Sequence, residues 1–187
     1  MTARCEWAKY QPEIEYHDRE WGVPLHDDRG LFEFLILEGM QAGLSWRIIL
    51  NKRQEFRKAF DNFQAQKIAN YDNIKIKQLY SNPFIIRNKK KIEATIINAD
   101  VFLKVQKDFG SFDTYIWNFV NYRPIQNSWK THSDVPSKSN ESDMIYKELK
   151  NRGFKFVGSK ICYSMMQAVG MVNDHTTNCF RYKELRK

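Results

Sequence analysis

From Leu31 to Met40 the chain reads LFEFLILEGM, a run in which nearly every side chain is apolar. Leu31, Phe34, Leu35, Glu38 and Ala42 fall on one face at helical spacing. Phe32, Ile36, Leu37 and Met40 cover much of the remaining circumference. A helix that is apolar nearly all round is stable only when neighbours surround it, so the segment from Asp28 to about Gly43 is expected to be buried on most sides. One residue conflicts with that burial. Glu38 lies in the middle of the apolar face, where a carboxylate is costly unless it is paired or hydrogen-bonded. Buried carboxylates of this kind often mark functional sites. An internal salt bridge, or a rotation that carries Glu38 to the helix edge, is the competing explanation.

The same period recurs along the chain. Ser45 is placed to cap a second helix whose Ile49, Phe56 and Phe60 share a face. Ile92, Thr95, Ile96, Ala99 and Phe102 repeat the pattern, as do Phe112, Ile116, Phe119 and Val120. After Ser159, the residues Ile161, Cys162, Met165, Met166 and Val169 come together, and Gly170 serves as a C-terminal stop. Sustained alternation of strand type and useful length is absent, so the expected class is all-α. Tyr122 to Lys138 holds Pro124 and Pro136 among polar residues and reads as a long surface loop. The apolar helices beyond it need a partner surface, so residues 1–187 are expected to form a single domain.

Composition narrows the function. With 42% hydrophobic and 14% aromatic residues, a disordered or fibrous protein is excluded. No apolar run approaches the roughly 20 residues that cross a bilayer, and MTARCEWAKY has no apolar stretch of signal-peptide length. A soluble, cytoplasmic protein is expected. Lys and Arg total 30 against 22 Asp and Glu, a net charge of +8 that favours phosphate-bearing partners. The three cysteines, Cys5, Cys162 and Cys179, leave one over from any pairing and read as thiols or metal ligands.

Three constellations carry chemistry. Cys5 and His17 near one end, with His175 and Cys179 near the other, make a Cys2His2 set that suits tetrahedral zinc. The H-x3-C half would put both side chains on one helical face. A buried thiol and two unrelated histidines would give the same pattern. Trp7, Tyr16, Trp21 and Trp46 gather in the same quarter of the sequence as Glu38. Aromatic faces attract cations and stack on bases, so a box of them around one carboxylate suits a flat, cationic ligand. Core packing is the alternative for each ring. Arg87, Lys89, Lys90 and Lys91 open a helix just after the apolar Phe84 to Ile86, where backbone N–H groups and cations can meet a phosphate. A solvated helix face would look the same, and Lys150, Arg152, Lys155 and Lys160 form a second basic zone around GFKFVG.

Five blocks carry a family resemblance: YHDREWGVP (Tyr16 to Pro24), LEGMQAGLSW (Leu37 to Trp46), IIRNKKKI (Ile85 to Ile92), NRGFKFVGSKICYSMMQAVGMVNDH (Asn151 to His175) and the final Cys179. Together they resemble the 3-methyladenine DNA glycosylase I family over nearly the whole chain. The resemblance implies an all-α helix-hairpin-helix DNA repair enzyme, acting as a monomer on double-stranded alkylated DNA and releasing free 3-methyladenine by base flipping and hydrolysis. It implies a structural zinc, one per chain, on Cys5, His17, His175 and Cys179. It assigns base recognition to Glu38, stacking to Tyr16 and Trp46, and the rest of the box to Trp7 and Trp21. It places the hairpin between about Leu79 and Ile92, with Arg87 and Lys89 to Lys91 on DNA. Three departures stand out: Phe84 where the family often has glycine, a Cys5 to His17 spacer one residue short, and Glu13 where an aromatic is expected. A zinc-stapled DNA-binding module without catalysis, or a glycosylase for another damaged base, are the competing readings.

Overall fold

In a computed structural model, which describes residues 3–186, every residue from Leu31 to Met40 is buried. They belong to α2 (Asp28–Gln41), which Asp27 caps by accepting from the Gly30 amide. Around it pack α3 (Trp46–Ala59), α6 (Lys89–Phe109), α7 (Phe112–Trp117) and α9 (Ser159–Ala168). Enclosure on all sides is what the apolar circumference of α2 demanded. Phe32 meets Phe102 of α6 at 4.8 Å, and Phe102 stacks on Phe112 of α7 at 4.5 Å. The smaller helices α1 (Glu13–Arg19), α4 (Ala65–Ile68), α5 (Asn73–Ser81), α8 (Asn140–Arg152) and α10 (Phe180–Glu184) complete the described chain. None of its helices is long and apolar enough to cross a membrane.

The all-α expectation needs one amendment. Ile125–Gln126 (β1) and Val172–Asn173 (β2) form a two-residue parallel bridge. A two-residue pairing leaves no alternating pattern long enough to read in sequence. It ties the 122–138 segment, otherwise a loop as expected, to the chain just after α9. Two boundaries also differ. α2 stops at Gln41 and not at Gly43, because Ala42 turns out of the helix at φ −46° and ψ 114°. Ser45 occupies the N-cap position of α3 but makes no side-chain capping bond.

The segment 22–25 is stitched to the end of α9. The Gly22 amide donates to the Gln167 carbonyl at 3.0 Å and the Leu25 amide to the Val169 carbonyl at 3.1 Å. Gly170 makes this approach possible: its φ is +74°, and a Cβ there would lie 2.4 Å from the backbone at Val23 and Pro24. The strained dihedral and the clash with backbone act together, so Gly170→Ala should lose on the order of 2 kcal/mol or more in a urea denaturation series.

Candidate active site and metal cluster

Helix α1 divides two neighbouring side chains between two environments. Tyr16 is buried against Trp46 (5.6 Å between ring centroids) and Phe34 (6.2 Å). His17, fully buried, reaches Cys179 instead, with Nε2 3.4 Å from Sγ. The first turn of α1 carries Glu13 and Glu15 and the last carries His17 and Arg19, which suits the helix dipole.

His17 belongs to a cluster with Cys5, His175 and Cys179, all four buried and with their ligand atoms within 4.8 Å of one another. His175 Nδ1 lies 3.5 Å from both Cys5 Sγ and Cys179 Sγ. The outer nitrogen of each imidazole is occupied: His17 Nδ1 meets Asp18 Oδ1 at 2.8 Å, and His175 Nε2 meets the Trp21 carbonyl at 3.1 Å. These outer partners fix which nitrogen faces the centre, as they do around bound metals. Asp18 is itself held by Arg4 and stays below the usual carboxylate range, chiefly through that hydrogen bond. The Cys179 thiol is drawn down by its hydrogen bonds with Cys5, then His17 and His175, which together outweigh burial. Such a group can bind a metal ion. The H-x3-C half is not helical: it spans an irregular turn, and Cys179 is the residue that caps α10. The short spacer from Cys5 to His17 does not prevent the four from meeting.

Beside the cluster opens a cavity of about 270 Å³. Trp7, Tyr16, Trp21, Glu38 and Trp46, the residues singled out from sequence, all line it. Trp7 and Trp21 meet edge to face at 5.0 Å, and Trp21 packs against His175 at 4.6 Å, so one wall of the cavity is also a wall of the cluster. The Trp46 Nε1 is buried without a hydrogen-bond partner among the described residues. Glu13 stands at the cavity where an aromatic was expected, paired with Arg47 at 2.7 Å. Gln41, His132, Val135, Ser164 and Gln167, which the sequence did not single out, complete the lining. A signal was present for two of them. Ser164 and Gln167 are a polar pair at i, i+3 in the largely apolar part of α9 that follows Lys160.

Glu38 is 4% exposed, and burial alone pushes its carboxyl up from 4.5 to about 8. No cation or donor from the described chain offsets that burial, so the internal salt-bridge explanation does not hold. Burial, and after it the charge of Glu38, holds the Tyr16 hydroxyl well above its ordinary range, so Tyr16 remains a phenol. The cavity therefore presents flat aromatic faces, one uncompensated carboxyl and no lysine or arginine ammonium or guanidinium in its lining.

The basic run divides. Arg87, Lys89 and Lys90 are exposed where the 82–88 segment joins α5 to α6, and Asn88 caps α6 by accepting from the Lys91 amide at 3.2 Å. Lys91 differs from the expectation of a free cation. It is buried, and its Nζ donates to the carbonyls of Met40 (2.8 Å) and Ala42 (2.7 Å) at the end of α2. Those carbonyls lie just ahead of Gly43, whose φ is +83°, and Lys91 supplies them with a donor. Phe84 is exposed and does not adopt a positive φ, so its backbone does not require glycine. In the second basic zone, Arg152 pairs with Glu148 and Asp108, whereas Lys155 and Lys160 are exposed.

The family described as methyladenine glycosylase matches residues 7–182. DNA-3-methyladenine glycosylase 1 of Escherichia coli (strain K12) is 44% identical over 180 residues, 96% of each chain. A crystal structure of 3-methyladenine DNA glycosylase I superposes with a TM-score of 0.92 at 45% identity, covering 95% of this chain and 98% of that one. A second, described as the structural basis of 3-methyladenine recognition by the Staphylococcus aureus enzyme, gives 0.91 at 34% identity, covering 95% of both chains.

Because the carboxyl of Glu38 is raised in the folded state, the native protein holds a proton that the unfolded chain releases above pH 4.5. Stability is then lost as pH rises from 4.5 towards 8, by at most about 1.4 kcal/mol per unit. Glu38→Gln removes this loss, so the variant should gain on the wild type between pH 5 and pH 8 in paired urea titrations. A difference that does not change with pH would mean that Glu38 is ionised without penalty.

Proposed function

The chain belongs to the methyladenine glycosylase family, and we propose that its aromatic cavity is the pocket for the flipped base, with Glu38 as the recognising carboxylate. The enzyme releases 3-methyladenine from alkylated DNA by hydrolysing the N-glycosidic bond, a step of base excision repair. The observation that carries the pocket assignment is the burial of Glu38, uncompensated, in a cavity walled by Tyr16 and Trp46.

The chemistry of the substrate explains why so few groups are needed. Methylation at N3 makes the nucleobase cationic, so the bond from N9 to the sugar is already weak. When water takes the sugar carbon, the bonding electrons return to the purine and neutralise it. The enzyme has mainly to extrude, recognise and hold the base. Tyr16 and Trp46 offer electron-rich faces to the cation, and Trp7 and Trp21 close the box. In the empty cavity Glu38 is largely protonated near neutral pH. A cation beside it favours the ionised form, so the methylated base gains an attraction that neutral adenine does not.

Around that pocket we place double-stranded DNA on the exposed Arg87, Lys89 and Lys90, with the 82–88 segment as the turn of a helix-hairpin-helix. Lys91 serves from within, as the donor that holds the end of α2. We infer one domain that acts as a monomer in the cytoplasm, where its three cysteines, none in a disulfide, stay reduced.

Zinc fits the cluster. Zn–S bonds near 2.3 Å and Zn–N bonds near 2.0–2.1 Å set tetrahedral N···S separations of about 3.5 Å, and three of the four in the cluster are 3.4–3.5 Å. Cys5, His17, His175 and Cys179 would hold it, and four protein ligands leave no position for water, so the ion would stabilise and not catalyse.

Glu38→Gln tests the pocket. Losing a charge-assisted hydrogen bond is worth about 1.5–3 kcal/mol, so excision of 3-methyladenine should fall roughly ten- to hundredfold with the fold intact. Wild-type kinetics in the folded variant would remove Glu38 from recognition. Elemental analysis should find one zinc per chain, and Cys179→Ser should bind less and melt lower. Protein that is free of metal and melts like the wild type would rule the staple out.

A further inference from the structure

Asp174, 2% exposed, accepts four hydrogen bonds at 2.7 Å. Asn127 Nδ2 and Trp129 Nε1 donate to Oδ1, while the Tyr163 hydroxyl and Gln167 Nε2 donate to Oδ2. The carboxylate gathers three pieces of chain: the 122–138 loop, the inner face of α9, and its own segment after β2. The loop is the one that brings His132 and Val135 to the cavity. Nothing in the proposed chemistry above uses this hub.

Its consequence falls on Gln167. A carboxylate with donors on both oxygens acts as an acceptor, so Gln167 must turn its NH2 towards Asp174. The indole N–H of Trp129 can only donate, which fixes Oδ1 as an acceptor independently of how any amide is oriented. Gln167 lines the cavity, and its Oε1 takes no hydrogen bond among the described residues. We propose that Gln167 is a specificity determinant that accepts a hydrogen bond from the exocyclic amine at position 6 of the bound purine, and that Asp174 is the positioning residue that fixes its amide for this. The assignment rests on the reading of the cavity as the base pocket. An acceptor locked in place meets an amine as a partner and a carbonyl as a lone-pair repulsion, so the site separates 6-amino from 6-oxo purines. A glutamine free to rotate would accept either.

The test is free-base binding to the full-length protein, followed by tryptophan fluorescence. The two ligands are 3-methyladenine and 3-methylhypoxanthine, which carries a carbonyl in place of the amine. Wild type should prefer 3-methyladenine. Gln167→Met, similar in shape but without the amide, should weaken 3-methyladenine by about tenfold, the value of one lost hydrogen bond. It should leave 3-methylhypoxanthine unchanged or improved, so that the preference shrinks. Asp174→Asn, if it folds, should shrink the preference in the same way, because Gln167 can then turn over. If it does not fold, Gln167→Met decides alone. Wild-type binding of 3-methyladenine with an unaltered preference in folded Gln167→Met overturns this assignment and leaves the pocket standing. Wild type that binds neither base overturns both.

Discussion

The meeting of Cys5 and His17 with His175 and Cys179 is the constraint on which the site depends. Helix α1 makes no broad contact with another helix. It is held by His17 in the cluster, by the pair of Asp18 with Arg4 and by the aromatic ring of contacts around Trp7 and Trp21. That attachment, together with the packing of Tyr16 on Phe34 and Trp46 and the pair of Glu13 with Arg47, positions what α1 contributes to the cavity. A metal ion held by the four would close a loop of about 160 residues, a span whose closure entropy is worth roughly 4–5 kcal/mol to such a clip. A link of that size is a large share of a domain's usual stability of about 5–15 kcal/mol. It would explain why a helix of seven residues can carry a site residue at all.

Glu38 is the opposite case, a feature kept at the expense of stability. The central helix is buried because its sequence is apolar nearly all round, and two carboxyls are carried inward with it: Glu33, which Arg53 and Arg57 answer, and Glu38. Its neighbours do nothing to relieve it. A cavity that offers an unrelieved carboxyl between aromatic faces would discriminate by charge before it discriminates by shape, and the proposed role of the hub at Asp174 would add discrimination by donor and acceptor. Two kinds of selectivity are thereby assigned to different elements, α2 for charge and α9 for hydrogen-bond polarity.

Local signals in the sequence were enough for the helical core, because the period of apolar residues and the burial of α2 are the same fact seen twice. The cavity lining was half legible. Glu38 stood out by its conflict with its surroundings, and the tryptophans and Tyr16 by their proximity to it. Gln167 did not, because its importance comes from Asp174, a residue that follows a strand too short to detect. Lys91 misled for a related reason. A lysine in a basic run reads as solvated, and only the three-dimensional end of α2, with two carbonyls that accept from its ammonium, turns it inward. Ser45 shows the reverse, a residue of the right type at a cap position whose hydroxyl does not form the capping bond. The H-x3-C spacing converged on the cluster through a turn and not through the helix that its period suggested.

The inward turn of Lys91 also has a mechanical consequence. Its ammonium joins the first turn of α6 to the last turn of α2, and Lys52 of α3 is bonded to the Phe84 carbonyl in the segment ahead of α6. Two struts of less than 3 Å thus brace the basic turn against the two helices that bear Glu38 and Trp46. The proposed phosphate-binding turn is thereby tied to the helices that carry two residues of the proposed base pocket, so the spacing between the two is built into the fold.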